Sequence, residues 1–213
     1  MSAPMDERVI SGAGCVAEGA AWLVAQDARL AEAYGATGPL PLRLKPEGFA
    51  ALLNAIVSQQ VSVASARAIW GRLQAAGCDR PHAVACMGLE DLQALGLSRQ
   101  KAAYAKALAA ADIDFAALRS LPSEAVIKRL VAVRGIGVWT AQIYAMFSLG
   151  RADVFAPGDL ALQEAARLLY GLAERPKERQ MSQMAERWSP WRAVAARLLW
   201  AYYKEIKDRE GTL

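Results

Sequence analysis

Apolar residues recur at spacings of three and four along nearly the whole chain, which is the periodicity of an amphipathic helix. Runs of Val, Ile and Thr that alternate with polar residues, as half-buried strands require, do not occur in the sequence. The pattern therefore predicts an all-α protein. The predicted helices span residues 14–34, 46–76, 89–95, 99–111, 123–133, 139–149, 159–171, 177–187 and 190–206.

Proline and serine mark several of the predicted helix starts. Pro46 suits a first helical turn, where a missing N–H costs nothing, and Ser123 is a candidate N-cap. Ser189 and Pro190 predict the start of the last helix, with the serine as cap and the proline in the first helical position. No low-complexity linker separates these segments, so we expect the helices to form one bundle or two lobes that meet at a cleft.

The composition sets the broad class of protein. Of the 213 residues, 54% are hydrophobic and 22% are charged, which is a globular balance and excludes a disordered tail protein. The longest apolar stretches, such as 50–57, are far shorter than a membrane span, and residues 1–20 show no export signal. The net charge of +4 permits binding to nucleic acid without establishing it.

The cysteines and the histidine exclude several kinds of metal chemistry. Cys15, Cys78 and Cys86 are scattered, which argues against a disulfide framework and fits a reducing cytoplasm. Three cysteines are also too few for the four thiolates of an iron–sulfur cluster, and the single histidine, His82, makes a His-rich zinc site improbable. We therefore expect no iron–sulfur cluster and no metal held by side chains.

A turn with two glycines joins two apolar helices in the segment 133–141. Gly135 and Gly137 permit positive φ and a close approach of a ligand to the backbone, and the helix that starts near Val138 directs its unpaired N–H groups outward. These features suit one DNA phosphate, and the turn carbonyls, such as those of Val133 and Gly135, could hold a monovalent cation such as Na⁺ or K⁺. The alternative is a tight helix corner whose glycines only end a helix.

The turn belongs to a set of four motifs in a recognisable order. Gly-Ile-Gly-Val-Trp-Thr-Ala at 135–141, followed by Asp-Val-Phe-Ala-Pro-Gly-Asp at 153–159, resembles the helix–hairpin–helix and Gly/Pro-Asp loop of the base-excision DNA glycosylases. Ile-Val-Ser-Gln-Gln-Val-Ser at 56–62 resembles the segment that enters DNA beside the damaged base. Trp-Ser-Pro-Trp-Arg at 188–192, with Trp200, resembles the closing helix of the alkylbase branch, the DNA-3-methyladenine glycosylases of type II.

The resemblance implies a fold and a place for the active site. We expect a single domain over 1–213, with one lobe of about 45–150 that contains the hairpin and a second lobe of about 1–44 with 151–213. The active site is expected in the cleft between the lobes. The longer alkylbase enzymes carry a preceding β-rich domain, for which residues 1–20 are too short, so we expect the helical catalytic core alone.

Asp159 is the predicted catalytic residue. It follows Pro157 and Gly158 and precedes an apolar helix, so an ordinary N-cap role would explain it on its own. A helix N-terminus also favours the ionised carboxylate, by about 0.3–1 kcal/mol. The resemblance places the family's catalytic aspartate here, where a fixed anion would stabilise positive charge on the deoxyribose as the glycosidic bond breaks.

Two tryptophans are the predicted walls of the base pocket. The resemblance assigns this role to Trp139 and Trp200, although large aromatic residues more often pack in cores. Purines alkylated at N3 or N7 are cations, which electron-rich rings attract by about 0.5–2 kcal/mol. Relatives that also cut the strand carry a nucleophilic lysine at position 139, and a tryptophan cannot replace it, so we expect a monofunctional enzyme.

Gln60, with Gln59, is the predicted DNA wedge. An enzyme that acts on a base extrudes it from the stack, and a long side chain with an amide end can fill the gap and bond the orphaned partner base. The resemblance gives the wedge role to Gln60, where other relatives use an aliphatic residue. A pair of surface amides is the alternative, since glutamine is ordinarily exposed.

The resemblance also implies the residues that grip the phosphate backbone. They are Gly135, Gly137 and Thr140 of the hairpin, with Arg134 and Lys101 nearby. Together the motifs predict a monofunctional DNA glycosylase that excises N3-methyladenine and N7-methylguanine from duplex DNA. We expect a monomer in the cytoplasm that associates with the nucleoid while it scans DNA. There are two alternatives: a non-catalytic DNA-binding protein, and a glycosylase for oxidised or mispaired bases.

Overall fold

The computed structural model describes residues 7–210, in which helices are the dominant element. The one β contact in this range is an isolated antiparallel bridge between Val9 and Arg151. The prediction of an all-α protein is therefore confirmed. The twelve α-helices of the described residues are α1 (Ala13–Gln26), α2 (Ala28–Thr37), α3 (Phe49–Ser58), α4 (Val63–Ala75), α5 (Pro81–Cys86), α6 (Leu89–Ala94), α7 (Arg99–Ala110), α8 (Ser123–Val131), α9 (Val138–Phe147), α10 (Leu160–Tyr170), α11 (Glu178–Ala185) and α12 (Arg192–Glu210), with 3-10 turns at Ala117–Ser120 and Glu186–Trp188.

The chain divides into two compact units. The terminal unit contains residues 1–44 and 145–213, and the hairpin unit contains residues 45–144. Residues 1–6 and 211–213 lie outside the described part of the chain. They include the start of the segment 1–20, for which the sequence predicts no export signal, and both ends of the predicted second lobe. The cleft between lobes stays a prediction. Within residues 7–210, every helix is too short or too polar to cross a bilayer.

The terminal unit is built around the last helix. α12 packs against α1, α2 and α10, and its residues from 193 to 199 are all buried. Trp188 and Trp191, just before α12, are also buried, so these two tryptophans are core residues. This packing places the N-terminus of α10 beside the middle of α12.

The hairpin unit is built around α7. This helix packs against α3, α5 and α6, and α3 also packs against α4. The buried face of α3 carries Leu52, Leu53, Ile56 and Val57, which repeat at spacings of one, three and four as the sequence pattern predicted.

Two of the predicted long helices are each two helices in the structure. The segment 14–34 is interrupted at Asp27, whose carboxylate accepts hydrogen bonds from the backbone N–H groups of Arg29 and Leu30 and so starts α2. The segment 46–76 is interrupted at residues 59–62. Its first helix begins at Phe49 after Gly48, whose φ of +95° suits glycine, so the prediction of Pro46 in the first turn is wrong.

Three further boundary predictions are corrected. α5 was missed, because six residues are too few to show a helical period. Pro122, with its extended ψ, occupies the N-cap of α8, so Ser123 is the first helical residue rather than the cap. The predicted cap at Ser189 is also wrong: α12 begins at Arg192, and the Ser189 hydroxyl instead donates to Oδ2 of Asp153 at 2.8 Å.

Candidate active site

The glycine turn between α8 and α9 is a closed hairpin in the structure. The N–H of Ile136 donates to the carbonyl of Val133 at 3.0 Å, and the N–H of Ala141 donates to the carbonyl of Gly137 at 3.0 Å. Gly135 has a φ of +97°, and a Cβ at this position would overlap the ring of Tyr104. Glycine is therefore required at 135 both by the backbone conformation and by the contact with α7.

The opposite side of the hairpin faces open space. A Cβ built at Gly137 meets no atom within 4 Å, and Gly137, Arg134 and Val138 are all exposed. α9 begins at Val138, so the unpaired N–H groups of its first turn lie on this exposed end. Of the other predicted phosphate-binding residues, Gly135 is partly buried and Thr140 is only 7% exposed. The exposed hairpin has the local geometry of an anion site, although phosphate binding itself stays a prediction.

The hairpin carbonyls named as candidates for a monovalent cation already have partners. The Val133 carbonyl accepts from Ile136, and the Gly135 carbonyl accepts from the Nε2 amide of Gln59 at 3.2 Å. Each carbonyl oxygen can accept a second interaction, so the donor set remains compatible with a cation. No cluster of three or more His, Cys, Asp or Glu side chains suited to a metal occurs within residues 7–210. Cation binding at this turn stays a prediction.

The two predicted wedge residues differ in the structure. Gln59 is partly buried, and its side-chain amide holds the hairpin through the bond to Gly135. Gln60 is exposed and has a φ of +55°, which is rare for a residue with a side chain. Both lie in the break between α3 and α4. In this break Gln60 is exposed to solvent, whereas the Gln59 side chain is bonded to the hairpin.

Asp159 occupies the N-cap of α10, as predicted. Its Oδ1 accepts the N–H groups of Ala161 at 2.9 Å and Leu162 at 3.0 Å, and the side chain is partly exposed. The preceding loop is fixed from the same helix, because Nε2 of Gln163 donates to the Pro157 carbonyl at 2.8 Å. The carboxylate is thus rigidly placed at the positive end of a helix dipole.

Trp200 contacts the same carboxylate. Its Nε1–H donates to Oδ1 of Asp159 at 3.2 Å, so three donors converge on one oxygen. The indole also packs against the ring of Phe147, with centroids 5.7 Å apart. The structure therefore brings together two of the predicted site residues, the acid and one of the two aromatics.

The hairpin and the capped aspartate both lie in a part of the chain that matches a known protein family. A family model described as the HhH-GPD superfamily of base excision DNA repair proteins matches residues 53–190, which is more than half of the chain. The chain belongs to this family. The matched range contains the Gln60 break, the hairpin and Asp159.

Individual relatives of this HhH-GPD protein agree with the predicted branch. A DNA-3-methyladenine glycosidase structure from Bacillus halodurans superimposes with a TM-score of 0.80 and 31% identity, over 96% of this chain and 95% of that chain. The Schizosaccharomyces pombe 3-methyladenine DNA glycosylase, solved in complex with abasic DNA, gives a TM-score of 0.70 and 30% identity, over 82% of this chain and 90% of that one. Escherichia coli DNA-3-methyladenine glycosylase 2 is 29% identical over 162 residues, 70% of this chain and 55% of the relative.

These similarities confirm the resemblance that the four motifs predicted. The alignments do not all cover whole relatives. The aligned part of this HhH-GPD chain spans 60% of the Bacillus subtilis protein YfjP and 79% of the full-length S. pombe protein DNA-3-methyladenine glycosylase 1. Activity and substrate therefore have to be inferred from this chain's own residues.

Trp139 lies in the hairpin unit and is 49% exposed, so it is not a core residue. Asp159 and Trp200 lie in the terminal unit. The role of Trp139 in the base pocket stays a prediction. Its exposed ring is available for contact with a ligand, and tryptophans are enriched at interfaces.

Sequence reasoning missed the residues that support the site. Arg197 is 1% exposed, lies 4.6 Å from the centroid of Phe147, and bonds the carbonyls of Leu42 and Ala193. Burial lowers the pKa of its guanidinium to about 10. Arg197 thus supports the ring on which Trp200 packs. The one signal was an arginine among the apolar residues of a predicted core helix.

Lys101, which was predicted to assist in phosphate binding, uses its ammonium group within the protein. Its ammonium donates to the carbonyls of Val57 at 2.7 Å and Gln59 at 2.6 Å. Lys101 therefore completes the end of α3 within the protein, which leaves the exposed Arg134 as the basic side chain of the hairpin itself.

Proposed function

We propose that this HhH-GPD protein is a monofunctional DNA glycosylase that releases alkylated purines, N3-methyladenine and N7-methylguanine, from duplex DNA. The observation that carries the proposal is the Asp159 carboxylate, which is partly exposed and held through Oδ1 by two backbone N–H groups and the Trp200 indole. A carboxylate held in this way is pre-organised, so it needs no rearrangement when positive charge develops next to it.

The proposed reaction is the hydrolysis of one N-glycosidic bond. The bond from C1′ to the purine breaks, its electron pair leaves with the base, and positive charge develops on the deoxyribose. The Asp159 carboxylate stabilises that charge and orients a water molecule, whose oxygen bonds to C1′ while its proton is lost to the solvent or the carboxylate. The products are a free base and an intact abasic site.

The leaving base explains why no strong general acid is needed. A purine alkylated at N3 or N7 already carries a positive charge on its ring, so it departs as a neutral molecule. Trp139 and Trp200 are the proposed aromatic faces for this cation, each worth about 0.5–2 kcal/mol. A neutral, undamaged purine gains none of this attraction, which gives the selectivity a physical basis.

The residue at 139 supports the monofunctional assignment. Strand cleavage requires an amine that attacks C1′ and forms a Schiff base, and an indole ring cannot supply it. Lys101 and Lys106, of the same unit, each bond backbone carbonyls through their ammonium groups. We therefore expect the abasic strand to remain uncut.

Binding to duplex DNA is proposed through the hairpin and the wedge. The exposed N–H groups after Gly137, with Arg134, suit a phosphate, and Gln60 suits the gap that an extruded nucleotide leaves. The S. pombe relative, which was solved with abasic DNA, supports a DNA partner. The proposed protein is a monomer that acts in the cytoplasm and associates with the nucleoid while it scans DNA. The hairpin carbonyls are the proposed site for a structural monovalent cation.

The test compares three matched duplexes that carry N7-methylguanine, 8-oxoguanine or undamaged guanine at one position. We expect release of the methylated base only, measured by chromatography of the free base, and strand breaks only after alkali. Borohydride should trap no covalent complex, because no Schiff base forms. Binding without release from any duplex would favour a non-catalytic DNA-binding protein, and release of 8-oxoguanine would favour a glycosylase for oxidised bases.

A further inference from the structure

Two lysines of α7 each hold the C-terminal end of another helix. Lys101 donates to the carbonyls of Val57 and Gln59 at the end of α3. Lys106 donates to the carbonyls of Ala85 at 2.7 Å and Met87 at 2.8 Å at the end of α5. The last carbonyls of a helix have no partner within that helix. An ammonium group is therefore favourable at the C-terminal end of α3 and, in the same way, at the C-terminal end of α5.

The end of α3 leads into a short and constrained segment. Only residues 59–62 separate α3 from α4, and Ser62 already caps α4 through the bond from the N–H of Ser65 at 3.2 Å. Within this short break Gln60 adopts a φ of +55°. A conformation that is unfavourable for a residue with a side chain persists only where its surroundings hold it.

The contacts that hold Gln60 come from the residue before it. The Gln59 carbonyl accepts from Lys101, and the Gln59 side-chain amide donates to the Gly135 carbonyl of the hairpin. We call Lys101, Gln59 and Gly135 the clamp. The clamp fixes Gln59 at both its backbone and its side chain, while Gln60 itself remains exposed. The ammonium of Lys101 is partly buried in this contact, and burial lowers its pKa.

We propose that Lys101 is a positioning residue for base extrusion, acting through the clamp to hold Gln60 in the strained, outward conformation that enters the base stack. The proposal rests on the proposed function and on the wedge role of Gln60. It adds a coupling between two parts of the proposed DNA-binding surface, because the same clamp ties residues 59–62, which include Gln60, to the hairpin turn proposed to receive the phosphate.

The physical consequence concerns the step at which DNA is deformed. A wedge held rigidly enters the stack without first losing conformational freedom, whereas a loosened wedge must be ordered each time. Loss of the clamp should therefore slow extrusion while leaving the encounter with the backbone largely unchanged. A small displacement of a positioned group is sufficient to cost about a hundredfold in rate.

The experiment compares Lys101→Met with Lys106→Met in the full chain. Methionine keeps most of the side-chain length and removes the charge and the donors in both variants. Single-turnover release of N7-methylguanine is measured, together with the Kd for a duplex that holds an abasic-site analogue. We expect a ten- to hundredfold slower release for Lys101→Met with Kd changed by less than about threefold, and release within about twofold of the parent for Lys106→Met.

A second readout monitors the wedge without chemistry. The fluorescent base 2-aminopurine is placed opposite the abasic-site analogue, where insertion of Gln60 should change its stacking and therefore its emission. We expect the parent and Lys106→Met to give the same emission change on binding, and Lys101→Met to give a much smaller one. Lys101→Arg, which can still donate to both carbonyls, should recover most of the rate and the signal.

Gln59→Met covers the case in which Lys101→Met does not fold. It removes the amide bond to Gly135 and leaves Lys101 in place, so it should also slow release with little change in Kd. The proposal is overturned if the foldable clamp variants match the parent in rate and emission, if Lys106→Met is impaired as much, or if the whole loss appears in Kd. A parent that binds DNA but releases no base contradicts the proposed function instead, and the emission measurement still tests the clamp.

Discussion

Two aspartates of the terminal unit begin helices in the same way but have different surroundings. Asp27 caps α2 and Asp159 caps α10, and in each the side chain accepts the N–H groups two and three residues further on. From local sequence alone the two are equivalent N-caps. What separates them is the set of groups that the fold brings to each carboxylate.

Asp27 has its second oxygen engaged within the protein. The Tyr170 hydroxyl donates to Oδ2 at 2.6 Å, Nε of Arg187 lies 3.6 Å from the same atom, and the side chain is 10% exposed. Burial opposes ionisation of Asp27, but the bonds from Tyr170 and the backbone, together with Arg187, outweigh it and lower its pKa. Such a carboxylate serves the stability of the fold.

Asp159 receives a neutral aromatic donor at the cap itself. The Trp200 indole joins the two backbone N–H groups on the same oxygen, Oδ1. The Trp200 N–H is neutral, so it orients the Asp159 carboxylate without adding a positive charge, whereas the arginine beside Asp27 balances part of the charge there. The partners, and not the cap, therefore distinguish a structural aspartate from a candidate catalytic one.

The greatest change is expected when each carboxylate is exchanged for an amide. Asparagine caps helices as well as aspartate does, so both Asp159→Asn and Asp27→Asn should keep their helix starts. Asp159→Asn should lower the single-turnover rate of N7-methylguanine release at least about a hundredfold, because the fixed negative charge is lost. Asp27→Asn should change the rate by less than about threefold and lower stability by about 1–2 kcal/mol, measured by urea unfolding.

Either of two results would contradict this distinction between the aspartates. Full activity in Asp159→Asn would remove the catalytic assignment, and a loss of rate in Asp27→Asn equal to that of Asp159→Asn would show that any damage to the terminal unit reduces activity. Urea unfolding curves of both variants are the control for folding.

A smaller change is expected when only the aromatic donor is removed from each aspartate. Trp200→Phe keeps a ring against Phe147 but loses the N–H to Asp159, and a hydrogen bond to a charged group is worth about 1.5–3 kcal/mol, or about ten- to a hundredfold in rate. Tyr170→Phe loses the O–H to Asp27 and should leave the rate unchanged while Tm falls by about 3 °C.

The single-turnover rate and Tm are both measured for each variant. An unchanged single-turnover rate in Trp200→Phe, with enzyme in excess over the duplex, would show that the indole acts only through its ring. A lowered single-turnover rate in Tyr170→Phe would contradict the separation of the two carboxylates.

The weakest effect is the pH dependence of stability that Asp27 and its partner Tyr170 contribute. The lowered pKa of Asp27 means that its contribution is present above about pH 4 and is lost as the pH falls through the folded value. Burial, with the bond to Asp27, raises the pKa of Tyr170, so its contribution is present below about pH 10 and is lost at higher pH.

Thermal unfolding at pH 3, 7 and 10.5 tests both signs. The Tm difference between the parent and Asp27→Asn should shrink between pH 7 and pH 3, and the difference between the parent and Tyr170→Phe should shrink between pH 7 and pH 10.5. Differences that stay constant across this range would contradict the assigned interactions.

Much of the fold was predictable because its signals are local. The helical period, the glycines of the hairpin and the cap at Asp159 each depend on residues within a few positions of one another, and each is found in the structure. Apart from the short α5 and the late start of α3, failures lie where a side chain bonds a distant or competing partner. The Ser189 hydroxyl bonds Asp153 instead of capping, and Asp153 in turn forms a two-bond contact with Arg192 at 2.8 Å for each bond.

The class of fold, the order of the four motifs and the residue types available for chemistry follow from spacing along the chain, so the sequence alone was enough to predict them. Helix packing selected which of two equivalent caps meets Trp200 and which meets Tyr170 and Arg187. Packing also directed the ammonium of Lys101 to the carbonyls of Val57 and Gln59, at the break between α3 and α4. The donors and acceptors of the Trp200 and Tyr170 bonds are 41 and 143 positions apart along the chain, and such pairs come within hydrogen-bond distance only when the helices pack.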